Sequence, residues 1–171
     1  MSKPILQNIA DEISFDNLPI VWQSFDFKKF SKEKTLFDFQ QNALKNALKI
    51  LWKYYGDEFD YYEKEKIDIN QKRKAEFFKL YTTSSSFSEK SLDYNLENKE
   101  EKITAKLLEE YYPIKDNKVN FSNFINRMAF WMATGSGKTL IIVKLIEVFK
   151  KLIEEKEIPQ NDILFLTYRE D

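Results

Sequence analysis

The chain has 171 residues, 43% apolar and 32% charged, with a formal net charge of −1, the balance of a folded globular domain long enough to bury a core. It contains no Cys and no His, which excludes a disulfide framework, a thiolate or imidazole metal site and a histidine-based catalytic triad. The near-zero charge excludes a global basic field, so any nucleic-acid contact must come from local groups.

The first residues, "MSKPILQNIADEI", carry acids too early for a secretory leader. From Met1 to about Glu33, "LPIVWQSFDFKKF" (Leu18 to Phe30) places apolar and aromatic residues at roughly alternate positions, which predicts one or two strands or an extended arm. Trp22, Phe25, Phe27 and Phe30 could stack on bases, but core or interface packing is the expected use. From Leu36 the period changes. Ala43, Leu44, Ala47, Leu48, Leu51, Tyr54 and Tyr55 recur at helical spacing, opposite Asn42, Lys45, Asn46, Lys49 and Lys53, with Gly56 as the stop. Residues 1–56 form a first segment.

Residues 57–120 are rich in Lys, Glu, Ser and Asn. "KRKAEFFKLY" and "EEKITAKLLEEYY" predict short helices and Thr82 to Ser91 a loop. The low hydrophobicity predicts a surface insertion with no core of its own. The acidic cluster Asp57 to Asp60 reads as a solvated helix end, and Lys72 to Lys74 as a solvated basic face.

Residues 121–171 predict strand, loop, helix, strand: an apolar run at Met128 to Met132, an apolar-periodic helix from Thr139 to about Glu154, a turn at "EIPQND" and a buried strand at Ile163 to Tyr168. That is a βαβ unit of an α/β fold with a parallel sheet. In the helix, Lys144, Glu147, Lys151 and Glu154 form a thin polar stripe and nearly all else up to Phe149 is apolar, so cover is expected on most sides, from a sheet of more than two strands. The charges at Lys144 and Glu147 also interrupt the longest apolar run, well short of a membrane span. A cytoplasmic protein without a membrane anchor is expected.

Between the first strand and the helix stands "ATGSGKT". Glycine tolerates positive φ and lets the backbone approach an anion closely, and two of the chain's three glycines are Gly135 and Gly137. With Thr134 and Ser136 they predict a loop whose amides cradle phosphates. Lys138 then sets an ammonium against the β and γ phosphates, and Thr139 offers a hydroxyl to Mg²⁺. The helix N-terminus adds its positive dipole end. The competing reading is a Gly-Ser turn that merely joins strand to helix. Met132 stands where the general pattern has its first glycine.

"MATGSGKT", preceded by "RMAFW" and followed by "LIIVKLIEVF", resembles motif I of superfamily-two helicases, and above all the helicase-like restriction subunits of type III restriction-modification systems. "LFDFQQNAL" (Leu36 to Leu44) is similar to the segment around the adenine-reading Gln, and "ILFLTYRED" (Ile163 to Asp171) to motif Ia, which touches the DNA backbone. The likeness covers about 36–56 and 120–171. It implies part of a RecA-like lobe using ATP and Mg²⁺. The implied partners are double-stranded DNA and a modification methyltransferase subunit.

In that frame Gln40 pairs with adenine N6 and N7 through its amide, with Gln41 as the alternative register; capping the helix start is the competing use of Gln40. Thr167 and Arg169, at the C-terminal end of a parallel strand, suit DNA phosphate oxygens; for Arg169 an ordinary surface position competes. The acidic box, the second lobe's arginine and a nuclease are not among these residues. An arginine finger alone contributes ~10³–10⁵ in rate, so the 171 residues are expected to hydrolyse ATP negligibly by themselves. Three alternatives compete: a truncated, non-catalytic ATP-binding fragment, another superfamily-two motor such as that of type I restriction systems, and a different P-loop ATPase or small-molecule kinase.

Overall fold

In the computed structural model, which describes residues 4–56, 61–83, 94–96, 106, 109–123, 125–130 and 132–163, the N-terminal arm is helical. Helix α1 spans Ile5–Glu12, a 3-10 turn Phe15–Asn17 and a short α2 Ile20–Gln23. This corrects the strands that the alternation at Leu18 to Phe30 predicts. Leu6, Ile9, Ala10 and Ile13 keep helical spacing, and Ile9 and Ala10 are buried. Pro4 and Pro19 stand just before α1 and α2 with φ of −55° and −56°, preset near helical values and with no amide to leave unsatisfied. Beyond α2 the arm's ladder pairing is one isolated bridge, Lys29 to Thr35.

Helix α3, Asp38–Tyr55, is the element on which two cores meet. Leu44 and Leu48, one turn apart on one face, pack in a cluster with Leu18, Trp22, Phe27, Leu36 and three residues of the last helix, Ile141, Val148 and Leu152. Ile50 and Tyr54 face a second cluster with Ile9 and Ala10 of α1, Ile125, and Phe77 and Tyr81 of α4, Ile67–Thr83. Burying each large side chain of this kind stabilises by roughly 1.5–3 kcal/mol. The arm's aromatics are thus core: Trp22 is fully buried, and its indole N–H donates to Glu157 Oε2 at 2.6 Å.

In the polar middle segment, which its composition predicts to be a surface insertion, α4 is more than surface. Its Phe77 and Tyr81 complete the second cluster. Arg73, from the basic run that reads as solvated, is buried: it pairs with Glu65 at 2.8 Å and lies over the Tyr55 ring at 5.2 Å. A guanidinium can be buried in this way because a carboxylate and a π-face replace its water. The same segment carries strands β1 Tyr94–Asn95, β2 Ile114–Lys115 and β3 Lys118–Val119 in an antiparallel sheet of order β1-β3-β2. Asp116 and Asn117, at φ 52° and 57°, form the two-residue turn between β2 and β3, the left-handed pair that matches the twist of a hairpin.

Helix α5, Lys138–Glu154, matches its predicted span closely. Its polar stripe is not all solvated. Lys144 is 6% exposed and bonded to Glu147 at 2.9 and 3.0 Å, while Lys151 donates to Ser24 Oγ and so ties α5 to the arm. Ile142 and Val143 are exposed. Residues 128–130 and 132 carry no ladder bonds among the described residues. Of their expected partner Ile163 to Tyr168 only Ile163 is described, and it is 42% exposed. A strand exists only through its partner, so the sheet among the described residues is the small antiparallel one. The cluster Asp57 to Asp60, most of Thr82 to Ser91, and Thr167 and Arg169 lie outside the described residues. No helix among the described residues is long and apolar enough to cross a membrane.

Candidate functional site

The loop Thr134 to Gly137 joins residue 132 to the first turn of α5. Gly135 and Gly137 both take left-handed conformations, φ 76° and 78°, which cost an L side chain roughly 1–2 kcal/mol each. At Gly135 a β-carbon would meet nothing within 4 Å, so the loop is open there. Gly137 is the N-cap of α5 and has no side chain to close the helix, whose first turn holds no acidic residue. Its leading amides are therefore available to an anion, under the positive end of the helix dipole.

Thr134, Gly135, Lys138 and Thr139 are exposed, and Ser136 and Gly137 half-buried. Lys138 makes no ion pair among the described residues. Ser136 Oγ is buried with no hydrogen-bond partner, an unusual expense for a hydroxyl unless a ligand supplies the bond. The residues present therefore fit a magnesium-bound triphosphate: open backbone amides, a free ammonium and three hydroxyls in the six positions from Thr134 to Thr139. Among the described residues no group of three carboxylates could hold a metal by itself. A Mg²⁺ at Thr139 would take its other ligands from phosphate oxygens and water.

Gln40 meets this loop from across the molecule. It is 2% exposed. Its Oε1 accepts the Phe37 N–H at 2.9 Å, and its Nε2 donates to the Ser136 carbonyl at 2.7 Å. The Gln40 N–H in turn donates to the Phe37 carbonyl at 2.9 Å, so the amide both caps α3 and holds the loop. Gln41 donates instead to the Leu36 carbonyl at 2.8 Å. Of the residues singled out in the sequence, Gln40 and Ser136 to Thr139 are thus brought to one place. Thr167 and Arg169 are not among the described residues.

Two features escape sequence reasoning. Phe37 and Phe39 stack with centroids 5.9 Å apart and planes 12° from parallel, yet stay 68% and 50% exposed. Their i, i+2 spacing is the only hint, and it reads equally as a strand. A groove of about 870 Å³ also opens beside the loop, lined by Phe39, Asn42, Ala43, Met132, Ala133 and Ser136, among others.

The sequence profile of the type III restriction enzyme res subunit matches residues 33–171 of this chain. The chain belongs to the type III restriction enzyme res subunit family. The matched span contains the loop, Gln40 and all of α3 and α5. The family is one of helicase-like restriction subunits and implies a RecA-like P-loop fold. No curated protein and no solved structure matches the chain.

Proposed function

We propose that the chain is the ATP-binding front of an ATP-dependent, helicase-like DNA motor of a restriction-modification system. Hydrolysis of ATP would drive movement along double-stranded DNA, with cleavage carried out by another region and a methyltransferase subunit as partner. The observation that carries the reading is the loop from Thr134 to Thr139: two left-handed glycines feeding an uncapped helix that opens on Lys138 and Thr139. Membership of the restriction-subunit family supports the DNA-linked part of it.

In this role the backbone amides around Gly135, Gly137 and Lys138 bind the phosphate oxygens, and Lys138 neutralises charge on the β and γ groups. Thr139 offers its hydroxyl to Mg²⁺, which supplies Lewis-acid stabilisation of the transferred phosphoryl group. The chain's own share is therefore positioning and charge. Residues 128–132 and 163–168 are proposed to pair as parallel strands of the RecA-like sheet, with Thr167 and Arg169 at a strand end suited to DNA phosphates. ATP hydrolysis by the full-length protein, measured with and without double-stranded DNA, tests this. Lys138→Ala should abolish the DNA-stimulated rate, and retention of that rate would overturn the assignment.

A further inference from the structure

Resting on the DNA-motor reading, we propose that the hairpin of β2 and β3 is a contact for the phosphate backbone of duplex DNA, made by Lys115 and Lys118 with Arg127 beside them. The register sets Lys115 directly opposite Lys118, and Ile114 directly opposite Val119. Residues opposite one another share a face of the sheet, and successive residues alternate between faces. Val119 is fully buried, so the lysine pair occupies the outer face. Lys115 is exposed and Lys118 half-buried. The Cβ atoms of such a pair stand about 4.5–5.5 Å apart, and like charges there are destabilising. Neither lysine makes an ion pair among the described residues, although Asp116 is exposed in the turn between them. The left-handed turn at Asp116 and Asn117 fixes the register, so the two ammonium groups are held face to face.

Edge protection does not account for the pair. A lysine on an edge strand discourages pairing with another chain, and β2 is an edge. Strand β3, however, lies between β1 and β2, so Lys118 has no edge to guard. Two ammonium groups without counter-charges suit a polyanion, which relieves their repulsion and releases its own counterions as it binds. Arg127 extends the site. It is exposed, its guanidinium lies 5.2 Å over the Tyr112 ring, and Tyr112 stands two residues before β2. A guanidinium steadied by a ring keeps its N–H fork for phosphate oxygens. Glu109 and Glu110, exposed in the helical turn before Tyr111, form no ion pair with any of the three cations. With a net charge of −1, a DNA contact depends on such local groups. Cations on the phosphates position the duplex without reading its sequence.

Lys115→Glu separates this role from a structural one. It sets opposite charges across β2 and β3, which should raise the melting temperature by about 1–3 °C, while turning a carboxylate toward the phosphates. Binding of two fluorescent duplexes of unrelated sequence to the full-length protein is measured by anisotropy over a series of salt concentrations. Lys115→Ala, Lys118→Ala and Arg127→Ala should each lower the slope of log K against log salt by about 1, equally for the two duplexes. Lys115→Glu should weaken both by about tenfold or more at about 0.1 M salt, the factor that one released counterion contributes there, with no fall in melting temperature. Slopes and affinities equal to wild type would overturn the contact and leave the motor reading in place. A loss confined to one duplex would show base reading and overturn it too. So would a Lys115→Glu variant that loses affinity and melting temperature together, because the lysine pair would then be structural. Full-length protein that binds neither duplex would instead remove the DNA-linked part of the motor reading on which the contact rests.

Discussion

Replacing Gly135 or Gly137 by alanine sets the same left-handed strain in two different surroundings. At Gly135 the φ of 76° is the only obstacle, because the new methyl meets nothing within 4 Å. The cost is the backbone strain of an L residue in that region, about 1–2 kcal/mol. At Gly137 the φ of 78° adds similar strain, but the methyl would also lie 2.5 Å from Gln40 Nε2. The amide is the end of a flexible side chain and can move, at the loss of its bond to Ser136, worth about 1 kcal/mol. Gly137→Ala should therefore destabilise by about 2–3 kcal/mol, roughly 1 kcal/mol more than Gly135→Ala. Urea unfolding of both variants measures the gap. The double-mutant cycle is decisive: with Gln40→Ala as background there is nothing left to displace, and the two glycine variants should cost the same. A gap that persists there, or no gap in the wild-type background, would refute the reasoning.

Trp22→Ala should lower the unfolding free energy by about 3–5 kcal/mol, since the ring is fully buried and its N–H is held by Glu157; a loss under about 1 kcal/mol, by urea titration, would mean that the arm is not core. Burial pushes the Tyr81 hydroxyl up to about 12 from the ordinary 10.0. The fold thus holds this proton more tightly than the unfolded chain does. Its contribution is whole below pH 10 and is lost as pH rises through about 12, at no more than about 1.4 kcal/mol per pH unit. Tyr81→Phe should flatten that alkaline fall, and equal slopes in the two proteins would contradict the assignment. Tyr55, raised first by burial and then by Glu65 against the lowering effect of Arg73, should leave a smaller residual slope.

The parts of the fold that could be read in advance are those whose signal is local. Helices α3 and α5 carry their apolar residues at helical spacing over 18 and 17 residues, long enough for the period to stand out. The loop's conformation is legible because Gly135 and Gly137, two of the chain's three glycines, stand directly before a helix start, and both take the left-handed φ that glycine tolerates. Helix α1 is only eight residues long, and the alternating aromatics that follow it suggest strands. What places Trp22 and Phe27 in the core is contact with Leu44, Leu48 and α5, which no window around residue 22 contains. Arg73 looks solvated because its partners, Glu65 and Tyr55, come together only when α4 docks on α3. The bond between Gln40 and Ser136 spans 96 residues and depends on how α3 meets the start of α5. The sequence marks both residues as functional and carries no sign that they touch.

The central claim is that Thr134 to Thr139 bind a magnesium-bound triphosphate. Calorimetric titration of this chain with MgATP tests it most directly, beside Lys138→Ala, whose exposed side chain leaves the fold untouched when removed. Saturable binding that Lys138→Ala abolishes at an unchanged melting temperature is the predicted result. Equal binding by the two proteins would contradict the claim.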